Sequence, residues 1–298
     1  MQILLSWFVL AANLAVIVGV ARCRRFVTGL TLMASWRWAL AAAVCTLVST
    51  ILSSPLVTPS PGWRSAVQYF AATMLLTPLV AALGARRPGN AAWQWFVVLP
   101  MIVVLQWPAV TQLLSSRGSE AIELAAPATA GVLLVVMMSA GTLLGTSMTF
   151  SALMYVAALL CCLLPSSGWM ESTSSIPLLS PLLLLAAQIH GASILRARFA
   201  ANRSAGNVVE SADAAWNLFQ SLYGLVWTRR VLDRVNQFAP GENWTVTLTL
   251  NGFRRSDGGA VSDAEITKPL EAFRWVLGRF ADQAWIEKYV AVPPTAEI

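Results

Sequence analysis

Apolar residues in this chain come in long runs rather than in alternation. Seven runs are close to the roughly 20 apolar residues that a helix needs to cross a hydrocarbon layer about 30 Å thick. They extend from Ile3 to Ala21, Trp38 to Val57, Ala66 to Ala85, Ala92 to Leu114, Leu124 to Thr146, Met148 to Leu164 and Ile176 to Leu195. The fifth and sixth are joined by almost no chain, which predicts a tight antiparallel hairpin, and the sixth is short. Pro78, Pro100 and Pro108 fall inside spans, where a missing N–H bends a helix.

From about Asn202 the pattern changes. Ser211 or Asp213 caps a helix whose apolar face is Ala215, Trp216, Phe219, Leu222, Tyr223 and Val226, opposite Asn217, Gln220, Ser221, Gly224 and Thr228. This stripe loses phase near Arg229. Trp244 to Leu250 then alternates as WTVTLTL, the pattern of a half-buried strand, and Asn251-Gly252 and Ser256-Asp257-Gly258-Gly259 follow as turn signals. A last helix is predicted from near Thr267, with Pro269 in its first turn and Leu270, Phe273, Leu277, Phe280 and Ala284 on one face. The expected fold is an all-α transmembrane helix bundle of about seven spans (residues 1–200) followed by a small α/β cytosolic C-terminal domain (residues 205–298).

Charge supports seven spans. Arg22, Arg24, Arg25 and Arg37 lie between the first two spans, Arg86 and Arg87 between the third and fourth, and Arg196, Arg198 and Arg203 after the seventh. An odd count places all three groups on one side, whereas the opposite loops hold only Arg64, Arg117, Glu120, Glu123 and Glu171. Under the positive-inside rule the N-terminus is outside and the C-terminus cytosolic. Trp36, Trp38, Trp63, Trp93, Trp95 and Trp169 sit near span ends as an interfacial belt would, and Trp7 and Trp107 lie deeper, where they are expected to pack between helices. The N-terminus lacks the basic region of a signal peptide, so the first span reads as retained.

Composition narrows the chemistry. The 298 residues are 57% hydrophobic and only 11% charged, with a net charge of +6 carried almost wholly by arginine. Soluble domains carry roughly 25% charged residues. No basic stripe with interleaved aromatics points to nucleic acid. Cys23, Cys45, Cys161 and Cys162 have no metal-binding or disulfide spacing and read as packing residues. His190 is the single histidine, which excludes HExxH zinc and bis-histidine haem. No Walker, GxGxxG or EF-hand motif is present, and no cofactor or metal is implied.

No Asp, Glu, Lys or Arg sits mid-span, unlike the pathways of ion-coupled carriers. The polar groups inside spans are neutral, among them Asn13, Gln68, Gln94, Gln106 and Gln188, and such groups commonly join helices. A candidate polar intramembrane site consists of Gln106, between the two prolines of the fourth span, with Gln188 and His190. Ser193 follows His190 on the same helix, which is not the face-to-face arrangement an intramembrane serine nucleophile needs. Gly141 and Gly145 form a GxxxG that would favour self-association as an oligomer. Asn202-Arg203-Ser204 and Asn243-Trp244-Thr245 match the glycosylation pattern but are expected on the cytosolic side, unmodified.

Residues 216–253, WNLFQSLYGLVWTRRVLDRVNQFAPGENWTVTLTLNGF, together with 83–93, LGARRPGNAAW, resemble uncharacterised bacterial multi-pass membrane proteins with a short cytosolic C-terminal domain. The resemblance implies a bacterial inner-membrane setting and carries over no catalytic residue. The expectation that emerges is a non-enzymatic subunit or scaffold of a membrane complex. It sits in the lipid bilayer and docks a protein partner through Trp216, Tyr223 and Trp227, aromatics of the type that dominates binding hot spots. The rivals are a transporter for a neutral or lipophilic substrate, using proline-broken helices and Gln106, and a membrane enzyme acting on lipid.

Overall fold

The computed structural model describes residues 2–54, 57, 59–167, 176–242 and 244–291. Trp169, Glu171 and Asn243 lie outside the described residues. Seven helical segments are long and apolar enough to cross a membrane: α1 (Gln2–Val27), α2 (Met33–Leu52), α3 (Pro61–Leu83), the run from α4 (Asn90–Trp93) into α5 (Leu99–Ser115), α6 (Ala126–Ala140), α7 (Thr149–Leu163) and α8 (Ile176–Arg203). The tail contributes α9 (Val208–Asn236), α10 (Ala239–Glu242), an antiparallel hairpin of β1 (Val246–Thr249) and β2 (Gly252–Arg255), α11 (Asp263–Leu277) and α12 (Gln283–Tyr289).

Helix α3 is the centre of the bundle and packs against α2, α5, α6 and α7. Its inward residues are small or medium (Ala71, Ala72, Leu76, Thr77), and all are buried. Pro78 removes one N–H from this helix, and the carbonyl it strands, Met74 O, accepts instead from the Thr77 hydroxyl at 2.7 Å. The fourth span is handled differently. Pro100 cannot donate to the turn before it, and the helix widens there into a π turn, Gln94–Val98, between α4 and α5.

Several boundaries differ from the sequence reading, each for a local reason. α2 begins at Met33 rather than Trp38, so Arg37 lies in the helix and not in a loop. Trp36 and Trp38 face neighbouring helices: Trp36 Nε1 donates to Val20 O at 2.7 Å and Trp38 Nε1 to Gln94 Oε1 at 2.8 Å. Trp7 and Trp107, expected between helices, are 57% and 65% exposed on the outer face. The GxxxG does not exist as a helix face, because Gly141 sits in a 3-10 turn and Gly145, at φ 77°, lies in the connection to α7.

In the tail, α9 starts a turn earlier than predicted because Asn207, not Ser211 or Asp213, caps it, its side chain accepting from Glu210 N at 2.8 Å. α11 starts at Asp263 behind a capping box of Ser262 and Glu265, which leaves Pro269 in the helix interior. The face expected to run on to Ala284 ends at Phe280. α12 is a separate helix that buries Trp285 and Ile286 and leaves Ala284 exposed.

The loss of phase in α9 has one cause. Gly224 takes φ 73° and ψ −179°, a conformation open to glycine, and breaks the helix. After the break the faces exchange. Val226, expected inside, is 38% exposed, whereas Thr228, expected outside, is buried; Ser221 and Gly224, before and at the break and also expected outside, are buried as well.

Candidate functional site

The tail is not a free-standing unit. Its core continues into the bundle, where Phe26, Leu30, Leu32, Ala85 and Phe199 join Trp216, Phe219, Phe273 and Phe280. Aromatic rings fill the joint: Phe219 stacks on Tyr223 at 4.6 Å, and Phe280 meets Phe219, Tyr223 and Trp227 edge-on at 5.2, 5.2 and 5.1 Å. Such pairs contribute about 0.5–1.5 kcal/mol each beyond burial.

Main-chain hydrogen bonds reinforce the joint. Thr31 N donates to Phe280 O at 2.8 Å, Asp282 N to Gly29 O at 2.8 Å and Arg87 N to Arg279 O at 2.8 Å. Trp227 Nε1 reaches Ala82 O at 3.3 Å, and the Ser147 and Ser221 hydroxyls are 2.8 Å apart. Three connections, α1–α2, α3–α4 and α6–α7, are therefore bound to the tail. Trp216, Tyr223 and Trp227 belong to this continuous core. They are 0%, 5% and 6% exposed, so none presents a surface to a partner: Tyr223 and Trp227 hold the tail to its own bundle, and Trp216 packs inside the tail, its Nε1 donating to Thr249 O at 2.8 Å. Sequence reading missed this because an apolar face does not announce what covers it.

Inside the bundle, the polar groups pair across helices. Gln106 Nε2 donates to Thr73 Oγ1 at 2.7 Å, linking α5 to α3, and Tyr69 Oη donates to Leu105 O at 2.7 Å beside it. Asn13 Nδ2 donates to Thr50 Oγ1 at 3.1 Å, Ser35 Oγ to Pro78 O at 2.6 Å and Tyr155 Oη to Leu75 O at 2.7 Å. Gln188 Nε2 donates to Val16 O at 3.1 Å, and its Oε1, packed on Gly19, has no partner. Gln106, Gln188 and His190 thus lie in separate contacts and do not converge on one site.

His190 has a partner that the sequence did not single out. Ser151 Oγ on α7 lies 2.7 Å from His190 Nδ1 on α8, and the Phe150 ring meets the imidazole at 4.9 Å. Gly191 leaves room for this serine, since a Cβ there would lie 3.3 Å from Ser151 Oγ. Ser193 donates to His190 O at 2.7 Å within its own helix. Among the described residues, no carboxylate is hydrogen-bonded to the imidazole, so the ring lacks the orienting acid of a triad.

All ion pairs among the described residues lie in the tail. Asp213 accepts from Phe253 N at 2.7 Å and from Arg254 at 2.8 Å, fastening the hairpin to α9. Arg255 bridges Asp257 and Glu265 at 2.6 and 3.2 Å. The Gly259 N–H and Arg255 hold the Asp257 carboxyl below its usual range, and the Ser262 hydroxyl and backbone do the same for Glu265. On the outer side of the tail, a cleft of about 540 Å³ is lined by Arg234, Phe238, Glu242, Trp244, Lys268 and Trp275. Arg234 lies over Phe238 and Trp275 at 5.3 and 5.8 Å, Trp275 is 52% exposed, and the Trp244 indole N–H is buried without an acceptor.

Asn202, the first glycosylation match, is buried and donates to Ser211 O and Tyr289 O at 3.3 and 2.9 Å. No group of three metal-ligating side chains occurs among the described residues. Seven apolar helices of membrane-spanning length fit a multi-pass membrane protein with a small, mostly helical tail. Comparison with protein-family models, with curated proteins and with solved structures finds no match.

Proposed function

We propose that this protein is a non-enzymatic subunit of a membrane complex, with its tail in the cytosol and its N-terminus outside. The observation that carries the reading is how the polar groups inside the spans are used. Gln106, Asn13, Tyr69 and Tyr155 each bond a neighbouring helix, which is the role of helix connectors rather than of a substrate path. Nine arginines, from Arg22 to Arg203, gather at the tail end of the bundle, which supports a cytosolic tail.

The docking surface moves from the buried aromatics to the outer cleft around Phe238, Trp244 and Trp275. Exposed tryptophan beside arginine is the composition of an interface centre, as Trp275 beside Arg234 is here. A photo-crosslinker at Trp275, in protein extracted with mild detergent, should capture one recurrent partner, and Arg234→Glu should abolish that product. A monodisperse protein that crosslinks to nothing, or a product indifferent to Arg234, sinks the proposal.

The permease reading draws less support. The proline-broken fourth span lies at the bundle edge, with Trp95, Phe96, Val103, Val104 and Trp107 outward, and Gln106 is engaged by Thr73.

A further inference from the structure

Two helices far apart in sequence, α1 and α8, enclose a cleft at the tail end of the bundle. Its floor is Gly19, Cys23, Phe26, Gln188 and Ala192, and its rim is Arg22, Arg25 and Arg196. The spacing explains the gathering. Gly19, Arg22, Cys23 and Phe26 recur at three and four residues, as do Gln188, Ala192 and Arg196 at four, so each set lies along one helix face. Gly19 brings the helices together, because a Cβ there would collide with Gln188 Oε1. The Phe26 and Phe199 rings, stacked at 5.7 Å, close the end nearest the tail.

The charges are unbalanced. Neither α1 nor α8 contains an Asp or Glu, and none of the ion pairs among the described residues includes these three arginines. Arg25 lies over the Phe26 ring at 4.8 Å, which limits its rotation. A bias of arginine toward one side requires only their number; it does not require three of them to face one cleft from two helices. The cleft's volume of about 130 Å³ equals on the order of four waters, which suits a phosphate group rather than a folded partner. Ile189 also lines the cleft and is exposed, and toward the middle of the bundle Leu14 and Val18 on α1 continue an exposed apolar surface.

We infer that this cleft holds the phosphate of an anionic phospholipid, with Arg22, Arg25 and Arg196 on the headgroup and the acyl chains along Leu14, Val18 and Ile189. Guanidinium groups suit phosphate oxygens because they present paired donors, and basic pockets between spans at headgroup depth have this use. Nothing in the inference depends on a protein partner.

The test is native mass spectrometry of detergent-purified full-length protein with added phosphatidylglycerol, in parallel with phosphatidylcholine. Wild type should retain one phosphatidylglycerol through delipidation and at least ten times less phosphatidylcholine. R22Q/R25Q/R196Q should lose that adduct at least tenfold, whereas R37Q/R86Q/R203Q, which removes three exposed arginines of the same end, should keep it. A192F, which fills the cleft without changing charge, should also lose it, so misfolding of the triple variant leaves the question answerable. Equal retention of phosphatidylcholine, or equal loss in the two arginine triples, overturns the inference. Displacement of the lipid by millimolar glycerol 3-phosphate would assign the cleft to a soluble phosphate ester and overturn the lipid assignment.

Discussion

The Thr31 and Tyr223 hydroxyls lie 3.0 Å apart at the joint between bundle and tail, and each has a carbonyl in reach: Ala85 O for Thr31 at 2.7 Å and Phe280 O for Tyr223 at 2.9 Å. Two protons thus serve three contacts in a buried setting. Burial also pushes the Tyr223 phenol well above its ordinary value, so the group stays neutral. Removing one hydroxyl strands its neighbours. Tyr223→Phe and Thr31→Val should each weaken tail docking by about 1–3 kcal/mol, and the double variant should cost less than the sum. Limited proteolysis of the tail in detergent reads this. Additive costs would show that the two hydroxyls act independently.

Gly224 tests the joint from the backbone side. A Cβ there would lie 2.5 Å from Thr142 O, on a residue already at φ 73°. Gly224→Ala should therefore cost more than about 2 kcal/mol, with faster cleavage between the two halves of α9. A fully stable alanine variant would mean that the break is not needed to seat α9 on the α6–α7 connection.

The arginine bridge in the tail predicts an acid sensitivity. The Asp257 and Glu265 carboxyls are held below their ordinary values of 3.8 and 4.5 by the hydrogen bonds and the arginine described above. A depressed carboxylate stabilises the folded form fully above its unfolded pKa and loses that contribution as pH falls through the folded value. Thermal scans should therefore show the stabilisation intact at pH 6 and declining once pH falls below about 4.5, as carboxylates begin to protonate. Glu265→Gln should blunt the decline; an unchanged profile would remove Glu265 from the account.

Ser151 and His190 decide between a structural and a chemical reading. As a helix connector, the pair should cost about 1 kcal/mol when Ser151 becomes Ala, and a fluorophosphonate probe should leave Ser151 unmodified. Labelling of Ser151 that disappears in His190→Ala would instead identify an activated nucleophile and reinstate the membrane enzyme.

The spans were legible because length and apolarity suffice to mark a helix of bilayer length, and because arginines flank the runs. Their ends were not: Met33 to Arg37 are helical, with Trp36 bonded to α1 and Ser35 to α3, contacts that hydropathy does not mark. One strand of the hairpin was read, from Trp244 to Leu250, and the structure trims it to Val246–Thr249; its partner strand, Gly252 to Arg255, has no alternating signature and is fixed by Asp213. The phase loss after Tyr223 was visible near Arg229, but a periodic reading assumes an unbroken helix and could not place the cause at Gly224. The candidate polar residues were found singly. Their partners Thr73, Val16 and Ser151 sit on other helices, and no spacing along the chain encodes those pairings.

The seam between tail and bundle has a mechanical consequence. The turns at Gly29–Thr31, Ala85–Arg87 and Thr142–Ser147 are tied to one small body, so α1, α2, α3, α4, α6 and α7 share a common brace at that end. Relative tilting of one half of the bundle against the other would have to tear main-chain bonds such as Thr31 to Phe280. Among the described residues no such body braces the opposite end, and force applied to the tail would pass into the spans through these bonds.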